Sequence, residues 1–140
     1  MPRKTRVEKA KTKDDKNEVS CIACAIINKK FKTATVAISD HFDAHQDYRV
    51  PIPGFIIVAS KRHVHGVDEF TKNERHDFIE ILCQLRNGMK KALDIKKVQI
   101  FQDEDTQHHF HLWIFPRYPW MNEKFGKKIE SVRLAMEYAS

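Results

Sequence analysis

With 140 residues, 41% of them hydrophobic, and only 4 Gly and 5 Pro, the chain is long enough to bury roughly two-thirds of its unfolded surface, which excludes a linker, a low-complexity polypeptide or a scaffold dependent on disulfide staples. A formal net charge of +6 and a pI near 9.3 favour an anionic partner. Much of that excess, however, lies in the opening segment and residues 124–128 without periodic aromatics among the basic residues, so it reads as a solvated surface and argues against nucleic-acid binding.

Residues 1–17 mix Lys, Arg, Asp and Glu with almost nothing to bury and read as a flexible charged arm, whereas residues 18–140 read as a single domain. The arm has no apolar stretch of the kind a secretory signal needs, and nowhere does the chain approach a membrane-spanning length. The three cysteines are odd in number, and a reducing cytoplasm is the expected compartment.

Strands are expected at residues 33–38, 54–59, 98–102 and 109–115, all rich in β-branched or aromatic side chains. Ahead of the second, Val50-Pro51-Ile52-Pro53-Gly54 gives a rigid approach and a turn. Lys61, Arg62, His63 and His65 follow it, where a strand end can hold a side chain over a cleft. A helix is predicted over residues 71–93 from Phe78, Leu82, Leu85, Met89 and Leu93, with Thr71 and Glu74 as a capping box. Cys83 reads as a core residue of that helix. A shorter helix over residues 128–138 would pack Ile129, Val132, Ala135 or Met136, and Ala139. Strands and helices without regular βαβ spacing indicate an α+β domain.

The most telling segment is His108-His109-Phe110-His111-Leu112-Trp113-Ile114-Phe115-Pro116-Arg117. In an extended chain the period of two puts His109, His111, Trp113 and Phe115 on one face, and Phe110, Leu112 and Ile114 on the other. A buried strand gains nothing from two imidazoles unless they are hydrogen-bonded, metal-bound or used in chemistry.

Taken in order, Cys21-Ile22-Ala23-Cys24, Asp47, Pro51-Ile52-Pro53-Gly54, Lys61-Arg62-His63, Gln102 and the histidine strand with its Pro116-Arg117 resemble the histidine triad family of nucleotidyl hydrolases and transferases, especially its small bacterial dinucleoside polyphosphate hydrolase-like members. The resemblance implies an antiparallel sheet with two helices, a homodimer and a nucleotide substrate. Counting back from Pro116-Arg117, the family's three alternate histidine positions fall on His109, His111 and Trp113, which makes His111 the nucleophile. Counting from Gln107 instead would make His109 the nucleophile and leave Pro116-Arg117 two residues out of place. The chain departs from the family pattern at Phe55 and Trp113, where imidazoles are expected; Phe55 can stack and Trp113 can donate one hydrogen bond, but neither can shuttle a proton.

The resemblance also implies that Asp47 meets ribose hydroxyls, while Thr106 and Gln107 can donate to phosphate oxygens and His109 supports the ring arrangement or a nearby metal. Cys21, Cys24, His63 and His109 have the ligand types of a tetrahedral structural zinc site, although two packed, reduced cysteines fit the same residues. The covalent histidine step itself requires no cofactor. Two classes of function remain: a hydrolase or transferase working through a phosphoramidate on His111, and a nucleotide-binding or regulatory protein whose turnover was lost with the two imidazoles.

Overall fold

A computed structural model describes residues 34–140; the charged arm, Cys21 and Cys24 lie outside the described residues. Strands β1 (Thr35–Ile38), β2 (Phe42–Gln46), β3 (Ile56–Ser60), β4 (Val98–Gln102) and β5 (His111–Pro116) form one antiparallel sheet ordered β1-β2-β3-β5-β4. Helix α1 (Lys72–Leu93) follows β3, and α2 (Pro119–Phe125) and α3 (Glu130–Ala139) follow β5. The architecture is α+β, with a third, short helix beyond the two expected.

Strand alternation divides the core between the two faces of the sheet. Ile56 and Val58 of β3 stand opposite Ile114 and Leu112 of β5, and all four are buried with Ile81, Leu85 and Met89 of α1. On the other face Phe55, Ile57 and Phe115 pack with Met121 of α2 and with Val132 and Ala135 of α3. The period of two thus sends Phe110, Leu112 and Ile114 towards α1, and leaves His111, Trp113 and Phe115 facing the C-terminal helices.

Helix α1 starts where its chemistry demands. Thr71 Oγ1 accepts from the Glu74 backbone N–H at 3.2 Å, and the Glu74 carboxylate accepts from the Thr71 N–H at 2.8 Å, so two otherwise orphaned donors are satisfied. Arg62 donates to the same carboxylate from Nε and Nη2, at 3.1 and 2.8 Å. This two-pronged contact holds the Glu74 carboxyl down at about 2. The helix ends at Asp94, which is in the left-handed region at φ 53°.

Some apolar residues lie elsewhere than the periodicity suggested. Leu93 is 43% exposed, because the stripe facing the sheet ends at Met89, and Cys83 is exposed on the opposite side of α1 from Ile81 and Leu85. Ile129 is 65% exposed; it sits at the N-cap of α3, ahead of the turns that reach the sheet. Strand β2 was not expected, since Phe42-Asp43-Ala44-His45-Gln46 lacks a β-branched run. Pairing on both sides buries it, and its two buried polar members satisfy one another, with His45 Nδ1 3.3 Å from Asp43 Oδ1. Gln46 bridges to the following turn, donating to the Ile52 carbonyl at 2.7 Å and accepting from the Gly54 N–H at 2.9 Å. Gly54 has φ +82°, a conformation that favours glycine, and a Cβ there would displace the Ile95 side chain, whose Cδ1 would lie 2.4 Å away.

Candidate active site

His111 opens β5, and its ring is oriented by the backbone just before it. Nδ1 donates to the His109 carbonyl oxygen at 3.0 Å. A carbonyl can only accept, so the proton resides on Nδ1, and Nε2 carries the lone pair. Trp113, two residues on, shares this face of the strand, while Phe55 stands behind it with ring centroids 5.3 Å apart in an edge-to-face contact. His108 lies on the approach to β5, 6.1 Å from the His111 ring centroid.

His109 precedes the strand and points elsewhere. It is 1% exposed, and its Nδ1 lies 3.3 Å from His63 Nδ1. Burial, reinforced by His63, pushes its imidazole down to about 4, and partial desolvation with His65 as neighbour lowers His63 as well. Both rings are therefore neutral at pH 7, the form that ligates metal. In tetrahedral coordination at Zn–N distances of about 2.0–2.1 Å, two nitrogens stand about 3.3–3.4 Å apart, so these two Nδ1 atoms fit two corners of one zinc site. Among the described residues no group of three or more His, Cys, Asp or Glu gathers around a metal position. The other two corners expected from the sequence, Cys21 and Cys24, lie outside the described residues.

Beside His111 opens a cleft of about 720 Å³. The sheet side of it carries His111, Trp113, Phe101 and Gln102, with Ile100, Asp103 and Thr106 at the rim, and α3 forms the opposite wall with Ile129, Val132, Arg133 and Met136. Helix α3 is tied to β5 through Arg117, which donates to Ser131 Oγ at 2.9 Å and to the Gly126 carbonyl at 3.0 Å, and also meets the Asn122 side chain. A strand-end arginine thus fixes the distance between the histidine strand and the far wall.

The other expected site residues are distributed unevenly around this cleft. Gln102 and Thr106 line it with His111 and Trp113, and Gln102 also donates to the His65 carbonyl at 3.3 Å. Thr106 Oγ1 forms a local turn with His108, accepting its N–H at 3.3 Å, while Gln107 is outside the cleft lining. Phe55 is 0% exposed. It therefore supports Trp113 from behind instead of offering a stacking face to a ligand. Asp47 lies at the end of β2, where Oδ1 accepts from the backbone N–H groups of Arg49 and Val50 at 2.8 and 2.9 Å; this carboxylate shapes its own loop and is not part of the cleft lining. The contribution of α3 was not foreseen. Ile129, Arg133 and Met136 form a line at helical spacing beside the core stripe Val132, Ala135 and Ala139, and that second line was the available signal.

No protein-family model matches the chain. Among curated proteins it is similar to a galactose-1-phosphate uridylyltransferase from Thermotoga maritima, at 25% identity over 101 residues, which are 67% of this chain and 32% of that protein. The chain therefore spans about a third of the length of this relative. Among solved structures it is similar to a hypothetical protein from Leishmania major, with a TM-score of 0.67 at 23% identity over 80% of this chain and 81% of the other. A member of the HIT family from Bacillus subtilis aligns with a TM-score of 0.64 at 21% identity, covering 84% and 93% of the two chains. A Zn-bound histidine triad family protein from Mycobacterium smegmatis aligns with a TM-score of 0.64 at 19% identity, covering 86% and 93%. The order of the five strands, the histidines at the head of β5 and these neighbours together lead to one conclusion: the chain has the histidine triad fold.

Proposed function

We propose that the chain is a nucleotide phosphohydrolase or nucleotidyl transferase in which His111 attacks a nucleotide-linked phosphorus. The observation that carries this reading is the hydrogen bond from His111 Nδ1 to the His109 carbonyl. It leaves the Nε2 lone pair on a ring fixed to a strand and facing a cleft. As the Nε2–P bond forms, the P–O bond to the leaving group breaks, and its electron pair departs on oxygen. The positive charge gained by the imidazole is stabilised by the same carbonyl at Nδ1. Water then attacks the phosphoramidate, breaking the P–N bond, returning the pair to Nε2 and releasing a proton to solvent; in a transferase the hydroxyl or phosphate oxygen of a second acceptor takes the place of water. The similarity to a uridylyltransferase supports nucleotidyl transfer as the chemistry, and Thr106 and Gln102 supply donors for phosphate oxygens on the cleft side.

His63 and His109, completed by Cys21 and Cys24, would hold a structural zinc behind the histidine strand, in keeping with a reducing compartment. That zinc would brace the strand without touching the scissile phosphate. A second reading, nucleotide binding without efficient turnover, is favoured by one observation: Phe55 and Trp113 pack against each other where two proton-transferring rings would otherwise stand.

His111→Ala tests the choice. Turnover of an accepted nucleotide is expected to fall by on the order of 10⁴-fold or more, as loss of a covalent nucleophile does, while binding measured by calorimetry is largely retained. Acid-quenched wild-type protein should carry a nucleotidyl or phosphoryl adduct that mass spectrometry maps to His111. Normal turnover by His111→Ala, with a folded but inactive His109→Ala, transfers the role to His109; a wild type that binds nucleotides and turns over none leaves the binding reading.

A further inference from the structure

The loop after β2 is built to present one cation. Asp47 Oδ1 accepts from the backbone N–H groups of Arg49 and Val50, so the carboxylate is engaged in shaping the turn on which Tyr48 and Arg49 stand. The Arg49 guanidinium lies over the Tyr48 ring, 5.2 Å from its centroid, and Arg49 Nε donates to the Tyr48 hydroxyl at 2.9 Å. Fixing a long cationic side chain costs rotamer entropy, and here two neighbouring residues supply the contacts that hold it.

This loop folds onto the face of the sheet that carries His111. The Asp47 N–H donates to the Phe55 carbonyl at 2.8 Å, and Val50, the residue after Arg49, is buried in the cluster of Ile57 and Phe115, on the face where β5 also displays His111 and Trp113. Arg49 stands near enough to His108 for its charge to act on that ring, and the His108 and His111 ring centroids are 6.1 Å apart. Helix α3 and its Arg133 form the other flank, but Arg133 is paired with Glu137 at 2.8 Å. Arg49 enters none of the ion pairs among the described residues. A fixed cation without a carboxylate partner thus stands on the nucleophile's side of the sheet, opposite the cleft.

We propose that Arg49 is a catalytic residue that grips the oxygens of the phosphoryl group attacked by His111. With Nε held by Tyr48, the edge formed by Nη1 and Nη2 remains, and that edge meets two phosphate oxygens through parallel hydrogen bonds. The catalytic role rests on His111 as nucleophile, whereas the phosphate contact stands by itself. Charge supplies the reason. Phe55 and Trp113 occupy the positions where proton-carrying rings would stand, and Gln102 and Thr106 on the cleft side are neutral donors. A neutral imidazole approaching an anionic phosphorus centre needs positive charge at the non-bridging oxygens, in place before the bond forms. Arg49 brings one full charge from the flank opposite α3. Tyr48 is its positioning residue, acting through its hydroxyl and ring face on the guanidinium.

Calorimetry on the full chain compares AMP with adenosine and GMP with guanosine, because each pair differs only by the phosphate. Wild-type protein is expected to prefer the nucleotide in at least one pair. Arg49→Gln should lower that preference on the order of tenfold to a hundredfold, the worth of hydrogen bonds to a charged group, and leave nucleoside affinity unchanged, an outcome that a damaged loop would not give. Arg49→Lys, which keeps the charge without the two-pronged grip, should fall between the two proteins, and Tyr48→Phe should lower the preference severalfold. In rapid-quench experiments with diadenosine tetraphosphate, the rate at which the His111 adduct forms should drop on the order of a hundredfold in Arg49→Gln. A wild type that binds nucleotide and nucleoside equally, or an Arg49→Gln protein that keeps the wild-type preference, overturns the inference. Nucleoside affinity that falls in step with nucleotide affinity also overturns it, assigning Arg49 to the loop's own structure. The two readings fail separately: a preference that collapses in Arg49→Gln while wild type forms no adduct removes the nucleophile and leaves the phosphate contact, and an adduct on His111 formed at the wild-type rate by Arg49→Gln does the reverse.

Discussion

His109 and His111 are two residues apart and do different work because one precedes the strand and the other begins it. His109 turns its ring into the interior against His63 and lends only its carbonyl to His111. This division gives the zinc reading a direct check. Protein purified without chelator from zinc-supplemented cells is expected to hold about one zinc per chain, and His63→Ala or the double change of Cys21 and Cys24 to Ser should lower that content severalfold. A wild type free of zinc under those conditions means that the cysteines are packed thiols and the Nδ1 atoms share a proton. At this scale the period of two was legible for His111, Trp113 and Phe115 but not for His109, which it put on the same face and which lies ahead of β5 with its ring against His63. Phe55 was not legible either: a phenylalanine next to a glycine turn reads equally as a ligand platform or as core, and only the packing of Trp113 and Phe115 onto both sides of its ring decides for core.

Among the elements, α1 was the most legible, because its start is written twice, in the Thr71–Glu74 capping box and in the apolar spacing that follows. What the sequence left hidden was the third partner of the box. Arg62 arrives from the loop after β3 and donates twice to Glu74, whose side chain is 4% exposed. The loop bearing His63 is thereby bound to the helix start. A carboxyl held at about 2 against an ordinary 4.5 contributes stability that is complete above the ordinary value and is lost as pH falls from about 5 towards 2. Glu74→Gln is therefore expected to cost about 1–3 kcal/mol in urea unfolding at pH 7, with the gap to wild type closing as the pH is lowered towards 3. A gap that stays constant with pH would assign the loss to packing instead. Strand β2 and helix α2 escaped detection for opposite reasons. The five residues of β2 contain an Asp and a His that look solvent-bound until they pair, and the seven of α2 bury only Met121, too little to generate a period.

At the scale of the whole molecule, β4 is the outermost strand on its side of the sheet, and an open strand edge seeks a partner unless it is blunted or covered. Its Ile100, opposite Ile114, is 49% exposed at this edge, where it also borders the cleft under α3. Helix α1 carries a second exposed apolar residue, Ile79, at 56%. Apolar residues on a strand edge and on the adjoining helix form a surface that a second copy can cover through a twofold axis, the closed arrangement that uses one patch twice. We propose this surface as the place where the homodimer implied by the resemblance would form. Sedimentation velocity at micromolar concentration is expected to give a species of about twice the 16.5 kDa chain mass. Ile79→Glu, an exposed change that leaves the α1 core stripe intact, should shift it to the monomer with unchanged circular dichroism. A wild type that sediments as a monomer at every concentration removes the dimer. A dimer indifferent to Ile79→Glu moves the interface away from α1, to the β4 edge alone or to residues before β1.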